Sequence, residues 1–267
     1  MKLLHVAPRI GAQWVREGLL SFRSQPLVFF SLFMLFTVIV VLVLRLPMVG
    51  GPIAVALSPA LTLAMMAATE HSIRARTAPV PPSGISALNA LPLVAALQAV
   101  RAQAKPLALL GFLYAVGVLA VSWIATLIAG DPFAQAFNEA GAPRADVIES
   151  PVFQFALLLR MGLYVPVALA FWHAPALVHW HGVPPIKSLF FSMVTCMRNF
   201  GAMAMYGLLW LGLLLAASIV LSLIGGLAMV GAGAGVSMAV MIGGSFVMSA
   251  MFLASTWFSF RDSFQAD

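Results

Sequence analysis

The chain has 267 residues, 62% of them hydrophobic and only 8% charged, with a formal net charge of +6. Soluble domains carry about 25% charged residues, so this chain lacks the polar surface to cover a water-soluble globule, and disordered chains are poor in apolar residues. Its positive charge does not point to nucleic acid, because the basic residues sit in short segments beside apolar runs, the pattern that orients membrane helices.

The first eighteen residues, MKLLHVAPRIGAQWVREG, do not read as a cleavable signal peptide, since Pro8 and Arg9 interrupt a short apolar stretch. Residues 9–24 are too charged to span a membrane and too apolar to be a tail. At 100° per residue, Arg9, Arg16 and Arg23 line one helix face, and Trp14, Gly18 and Phe22 line the opposite one. That pattern predicts a helix in the headgroup plane with its arginines toward lipid phosphates. The alternative is a cap packed on the bundle.

A bilayer core requires about 20 apolar residues per helix. Runs 27–44, 52–69, 107–129, 199–224 and 236–258 approach or meet that length, and 152–178 is a sixth if Arg160 is tolerated. Turns are expected at Pro47–Pro52, at Pro79, Pro81 and Pro82, at Gly182–Pro185, and across the glycines from Gly225 to Gly235. A polar loop carrying Asp131, Glu139, Asp146 and Glu149 separates the third and fourth spans. The fold class is therefore an all-α integral membrane protein, a single transmembrane domain of about six helices with amphipathic interfacial helices.

Charge sets the expected orientation. Lys2, Arg9, Arg16, Arg23, Arg74, Arg76, Arg101, Lys105, Lys187, Arg198 and Arg261 fall on one side of the spans, and Arg45 and Arg144 on the other. Positive residues are retained in the cytoplasm, so both termini are expected there and the 131–151 loop outside. Trp14, Trp123, Trp172, Trp180 and Trp257 lie near span ends, where indole rings anchor at the interface.

Basic junctions recur before the first, third and fifth spans: Arg23 before Pro26–Leu27, Arg101 and Lys105 before Pro106–Leu107, and Arg198–Asn199. They suggest three units, 1–76, 77–182 and 183–267, each an in-plane helix followed by a hairpin. Gly231, Gly235, Ala239 and Gly243, four apart, form a ladder of small residues that would let helices approach closely, within this bundle or between copies.

Few residues offer chemistry. Arg160 is the one ionisable group at span depth, and such a group is a functional candidate by default; it could bind an anionic headgroup or a partner's carboxylate, or snorkel outward. His173, His179 and His181 cluster in FWHAPALVHWHG, but Pro175 interrupts their helix and no Cys, Asp or Glu lies nearby to complete a metal shell. Metal ligation, pH sensing and a polar interfacial belt are the readings for them. Cys196 is the sole cysteine and reads as inert. No H-E-x-x-H, G-x-S-x-G or P-loop pattern is present, so neither an enzyme nor a cofactor is expected.

The block PALVHWHGVPPIKSLFFSMVTCMRNFGAMAMYG (175–207), with WVREG (14–18) and F-R-x2-P-L (22–27), resembles a family of β-proteobacterial integral inner-membrane proteins. The layout is more distantly similar to YciC-like proteins and to the membrane domains attached to some glycerophosphodiester phosphodiesterases. The resemblance implies a Gram-negative inner membrane and a self-contained domain, and carries over no activity, ligand or catalytic residue. Three functions stay open: a non-enzymatic protein binding anionic membrane lipid or a membrane-protein partner, as an accessory subunit would; a small-solute transporter or channel, suggested by six spans and in-span prolines such as Pro166; and an intramembrane enzyme using the histidine cluster.

Overall fold

A computed structural model describes residues 2–77, 91–138 and 142–265. Helix α1 (Ile10–Ser24) ends at Gln25, where the backbone leaves helical geometry, and Pro26 opens α2 (Pro26–Val43) at a position whose N–H has no helical acceptor anyway. Two helices in near-continuous succession, α3 (Gly50–Ala56) and α4 (Ser58–Thr77), make the second span. The short α5 (Pro92–Ala102) leads through Gln103 into α6 (Ala104–Ala129), which Gly130 ends at φ 74°. After a single turn, α7 (Ala145–Ile148), the Ser150 hydroxyl accepts from the Phe153 N–H and caps α8 (Pro151–Trp172).

At His173 the helix breaks, and α9 (Ala174–His181) continues to Gly182, left-handed at φ 61°. Then come α10 (Pro185–Arg198), α11 (Phe200–Ala232) and α12 (Ala234–Ser263). Among the described residues, a short helix leads into a span three times (α1 into α2, α5 into α6, α10 into α11), and an amide residue (Gln25, Gln103 or Asn199) stands at each junction. Strands β1 (Lys2–Leu3) and β2 (Phe264–Gln265) pair antiparallel, which puts both ends of the described chain on one side of the bundle.

Among the described residues, six stretches are long and apolar enough to cross a membrane: Pro26–Val43, Gly50–Thr77, Ala104–Ala129, Pro151–His181, Phe200–Ala232 and Ala234–Ser263. The chain is an all-α, multi-pass membrane protein. Two expectations about the last hairpin are corrected. Gly225, Gly226 and Gly231 lie inside α11, and the chain turns only at Gly233 (φ 88°). Without competing water, the helix hydrogen bonds hold through residues that would weaken a helix in solution. The ladder of Gly231, Gly235, Ala239 and Gly243 does not pack in the bundle: a Cβ on any of its glycines would meet nothing within 4 Å. Helix contact is made instead by Gly225 against Met241 and by Gly244 against Leu221. Pro79, Pro81, Pro82 and Glu139 lie outside the described residues.

The core is concentrated at the end that carries the termini. One cluster joins α1, α9, α11 and α12 through Trp14, Leu177, Tyr206, Trp210, Trp257 and Phe260. A second joins α2, α4 and α12 around Phe29, Met65 and Ala254, and a third joins α4, α5, α6 and α9 around Leu63, Leu110 and Val178. Away from that end the spans turn leucines and isoleucines outward, as in Leu42, Leu127 and Leu223. In lipid such exposure carries no hydrophobic penalty.

Helix α1 belongs to this core, which corrects the placement of its apolar face in lipid. Trp14 is 0% exposed and Phe22 is buried, both covered by protein. Gly11 sits against the Ala202 carbonyl and Gly18 against Ser255, contacts closer than any side chain would allow. The apolar stripe faces α11 and α12, while Arg9, Arg16 and Arg23 stay exposed.

The indole rings are corrected in the same way. Trp14 donates to Asp262 (2.9 Å), Trp172 to Ser259 (3.2 Å), Trp180 to Glu70 (3.0 Å) and Trp210 to Ser255 (3.1 Å). Trp257 is buried, Trp172 and Trp180 are half-buried, and Trp123 is exposed. Each buried indole N–H needs an acceptor, and those acceptors lie far away in sequence.

Candidate functional site

The end bearing the termini is a basic surface. Arg9, Arg16, Arg23, Arg76, Arg101, Lys105, Lys187 and Arg198 are all exposed there. Opposing charge is sparse: Glu70 pairs with Arg74 at 2.5 Å, and Glu17 and Asp262 pair with Arg261 at 2.9 and 2.7 Å. The Arg9–Arg16–Arg23 row is rigidly presented, because Gly11, Trp14 and Gly18 on the opposite face are locked into the bundle. On the other side, Arg144 pairs with Asp146 at 2.7 Å and holds that exposed carboxyl below its ordinary pKa.

The three histidines part company. His173 is fully buried at the helix break: its N–H donates to Ser192 Oγ (2.9 Å), its Nε2 lies 3.1 Å from Ser259 Oγ, and its Nδ1 lies 3.7 Å from Cys196 Sγ. His179 packs edge-on against Trp180 on the side of Glu70, and His181 packs against Phe260 and Phe264. No group of three His, Cys, Asp or Glu side chains suited to a metal occurs among the described residues.

The Cys196–His173 pair, 23 residues apart in sequence, brings a thiol to an imidazole, the partnership that activates cysteine nucleophiles. Its setting opposes that chemistry. Cys196 is 1% exposed, and burial pushes its thiol up to about 12, so the thiolate is absent at neutral pH. The pair is a packed joint between α8, α10 and α12.

Arg160 lies nine residues into α8, and its guanidinium rests 4.0 Å above the Phe133 ring, which also packs on Phe153 at 4.9 Å. The loop after α6 therefore folds over the arginine, a cation–π contact. No carboxylate among the described residues pairs with it.

Sequence reading missed a cavity of about 320 Å³ between α4, α6, α8 and α12. Tyr114 and Tyr164 line it and hydrogen-bond to each other through their hydroxyls. Ser58, Thr62 and Thr256 contribute further hydroxyls, and Trp172 and Phe252 separate it from the aromatic cluster. No Asp, Glu, Lys, Arg or His lines it. A signal was available: two of the chain's three tyrosines, Tyr114 and Tyr164, lie well inside spans rather than at their ends.

Six spans, a basic end holding both termini and an apolar outer surface define a multi-pass α-helical membrane protein. A probable inner membrane protein of Burkholderia thailandensis is 35% identical over 99% of this chain and 94% of its own length. The chain belongs to that family of inner membrane proteins. No family model matches it, and no solved structure matches it.

Proposed function

We propose that this is a non-enzymatic inner-membrane protein that binds anionic lipid headgroups at its basic end, with both termini in the cytoplasm. The observation that carries this reading is the exposed row of Arg9, Arg16 and Arg23 on a helix whose other face is fixed by backbone contact at Gly11 and Gly18. A preorganised arginine row loses little side-chain and helix freedom on meeting phosphates, and the excess of basic residues at that end supports its cytoplasmic placement. An accessory subunit would present the same surface to the membrane around its partner.

The other two readings are weaker. Trp14, Tyr206, Trp210 and Trp257 fill the interior at the basic end, where a transport path would have to emerge. An enzyme built on the histidine cluster would need His173, His179 and His181 together and accessible, and His173 is fully buried and turned to Ser259 and Cys196.

The test is lipid retention by the purified full chain. Arg9→Gln, Arg16→Gln and Arg23→Gln together should reduce bound phosphatidylglycerol and cardiolipin severalfold in native mass spectra, leaving phosphatidylethanolamine and the melting temperature unchanged. Equal retention of the anionic lipids by the triple variant would refute the proposal.

A further inference from the structure

We infer that the cavity between α4, α6, α8 and α12 is a binding site for an uncharged amphiphile, held through a carbonyl oxygen by the Tyr114–Tyr164 hydroxyl pair.

The depth of the site comes first. Tyr114 lies ten residues into α6, which at 1.5 Å per residue is about 15 Å, half of a hydrocarbon core about 30 Å thick. A ligand reaching it comes from the lipid phase or is carried on an apolar tail. The walls agree, since Ala168, Phe171, Phe252 and Leu253 are apolar and no ionisable side chain other than the two phenols is present to balance a charge. A phosphate or carboxylate there would stay uncompensated, and an unpaired charge at membrane depth is disfavoured.

The hydroxyls then specify what the ligand must offer. Two phenols own two O–H groups, and one is used when either donates to the other. The second has no acceptor among the described residues. Both wall threonines turn their hydroxyls back onto their own helices, Thr62 to the Ser58 carbonyl (3.1 Å) and Thr256 to the Leu253 carbonyl (2.6 Å). Ser58 Oγ has no hydrogen-bond partner among the described residues. The cavity therefore presents donors in surplus at membrane depth, where an unmet donor is costly. A neutral acceptor, a carbonyl oxygen, satisfies them without bringing charge.

Size narrows the class. About 320 Å³ is at the small end of ligand pockets, room for a ring or one ester segment while the remaining tail stays in lipid. Phe171, 5.0 Å from Tyr114 and edge-on to it, gives a flat ring something to pack against. The shared chemistry, a carbonyl on an apolar body, is found in the dione ring of an isoprenoid quinone and in the ester of a neutral glyceride.

The experiment uses the full chain in phosphatidylcholine nanodiscs, titrated separately with decylubiquinone and dioctanoylglycerol. One equivalent of one probe should bind, and the probe that binds identifies the source of the carbonyl. Tyr114→Phe with Tyr164→Phe should weaken it about tenfold, the scale of one lost hydrogen bond. Ala168→Phe, which fills the cavity, should abolish binding. If Ala168→Phe does not fold, the tyrosine pair decides alone, because its replacement removes only two oxygen atoms. The Arg9→Gln, Arg16→Gln, Arg23→Gln variant should bind the probe like the unaltered chain, so this site and the basic face can fail separately. Binding of neither probe, or equal uptake by every variant, would overturn the assignment.

Discussion

Replacing Gly11 and Gly18 together with alanine asks whether α1 is an integral part of the bundle. A Cβ at Gly11 would lie 2.2 Å from the Ala202 carbonyl oxygen, and one at Gly18 would lie 2.2 Å from Ser255 Cβ. Moving out from 2.2 Å to ordinary contact at 3.4 Å takes about 1.2 Å of retreat. Neither obstacle is the far end of a flexible chain, so the whole helix must shift. Overpacking costs about 1–3 kcal/mol per site, and alanine's helix preference returns about 1 kcal/mol per site. The shift also disturbs Trp14, 0% exposed and bonded to Asp262 at 2.9 Å, a residue type whose full loss costs about 3–5 kcal/mol. A net loss of about 2–4 kcal/mol follows, on the order of 5–10 °C in melting temperature. Thermal melting in mild detergent, followed by tryptophan fluorescence, measures it. Gly207→Ala is the control, since a Cβ there meets nothing within 4 Å. A double variant that melts with the control, or above it, would refute the docking of α1.

Two further outcomes follow from buried groups. With burial pushing its thiol up to about 12, Cys196 should resist maleimide from pH 7 to pH 9 in the folded protein, whereas an exposed thiol would react faster across that range; it should label readily in SDS, and rapid native labelling would contradict its burial. Asn199, 1% exposed, accepts from the Val6 N–H at 2.9 Å and donates to the Leu4 carbonyl at 3.0 Å. Asn199→Ala strands both groups at about 1–3 kcal/mol each, and limited proteolysis should then cut the segment before α1 sooner than in the unaltered chain.

The spans were legible because crossing a bilayer demands a length and a composition that few other structures share. Each of the six expected runs falls within one observed span, apart from a residue or two at the ends. The partner of an amphipathic face was not legible, since Trp14 and Phe22 would look the same against lipid or protein. The glycines on that face were the clue: Gly11, one turn before Trp14, and Gly18, one turn after it, mark close backbone approach, which lipid never requires. The small-residue ladder misled for the converse reason, because spacing by four shows a smooth face and not what covers it. His173 with Cys196, Trp14 with Asp262 and Tyr114 with Tyr164 join residues 23, 248 and 50 apart in sequence. Such pairings come from helix packing, and no local pattern announces them.

The clasp between β1 and β2, and the seating of α1 on α11 and α12, impose an order of events on a chain made from its N-terminus. Helix α1 is synthesised well before its seat, which is complete only when residues near 262 have been added. At about 5–20 residues per second, the Trp14 face waits on the order of 10–50 seconds for its partners. Throughout that interval an amphipathic helix can shelter its apolar face in the membrane interface. The amphipathic character of α1 thus records a waiting position, and the glycines record the berth it finally takes.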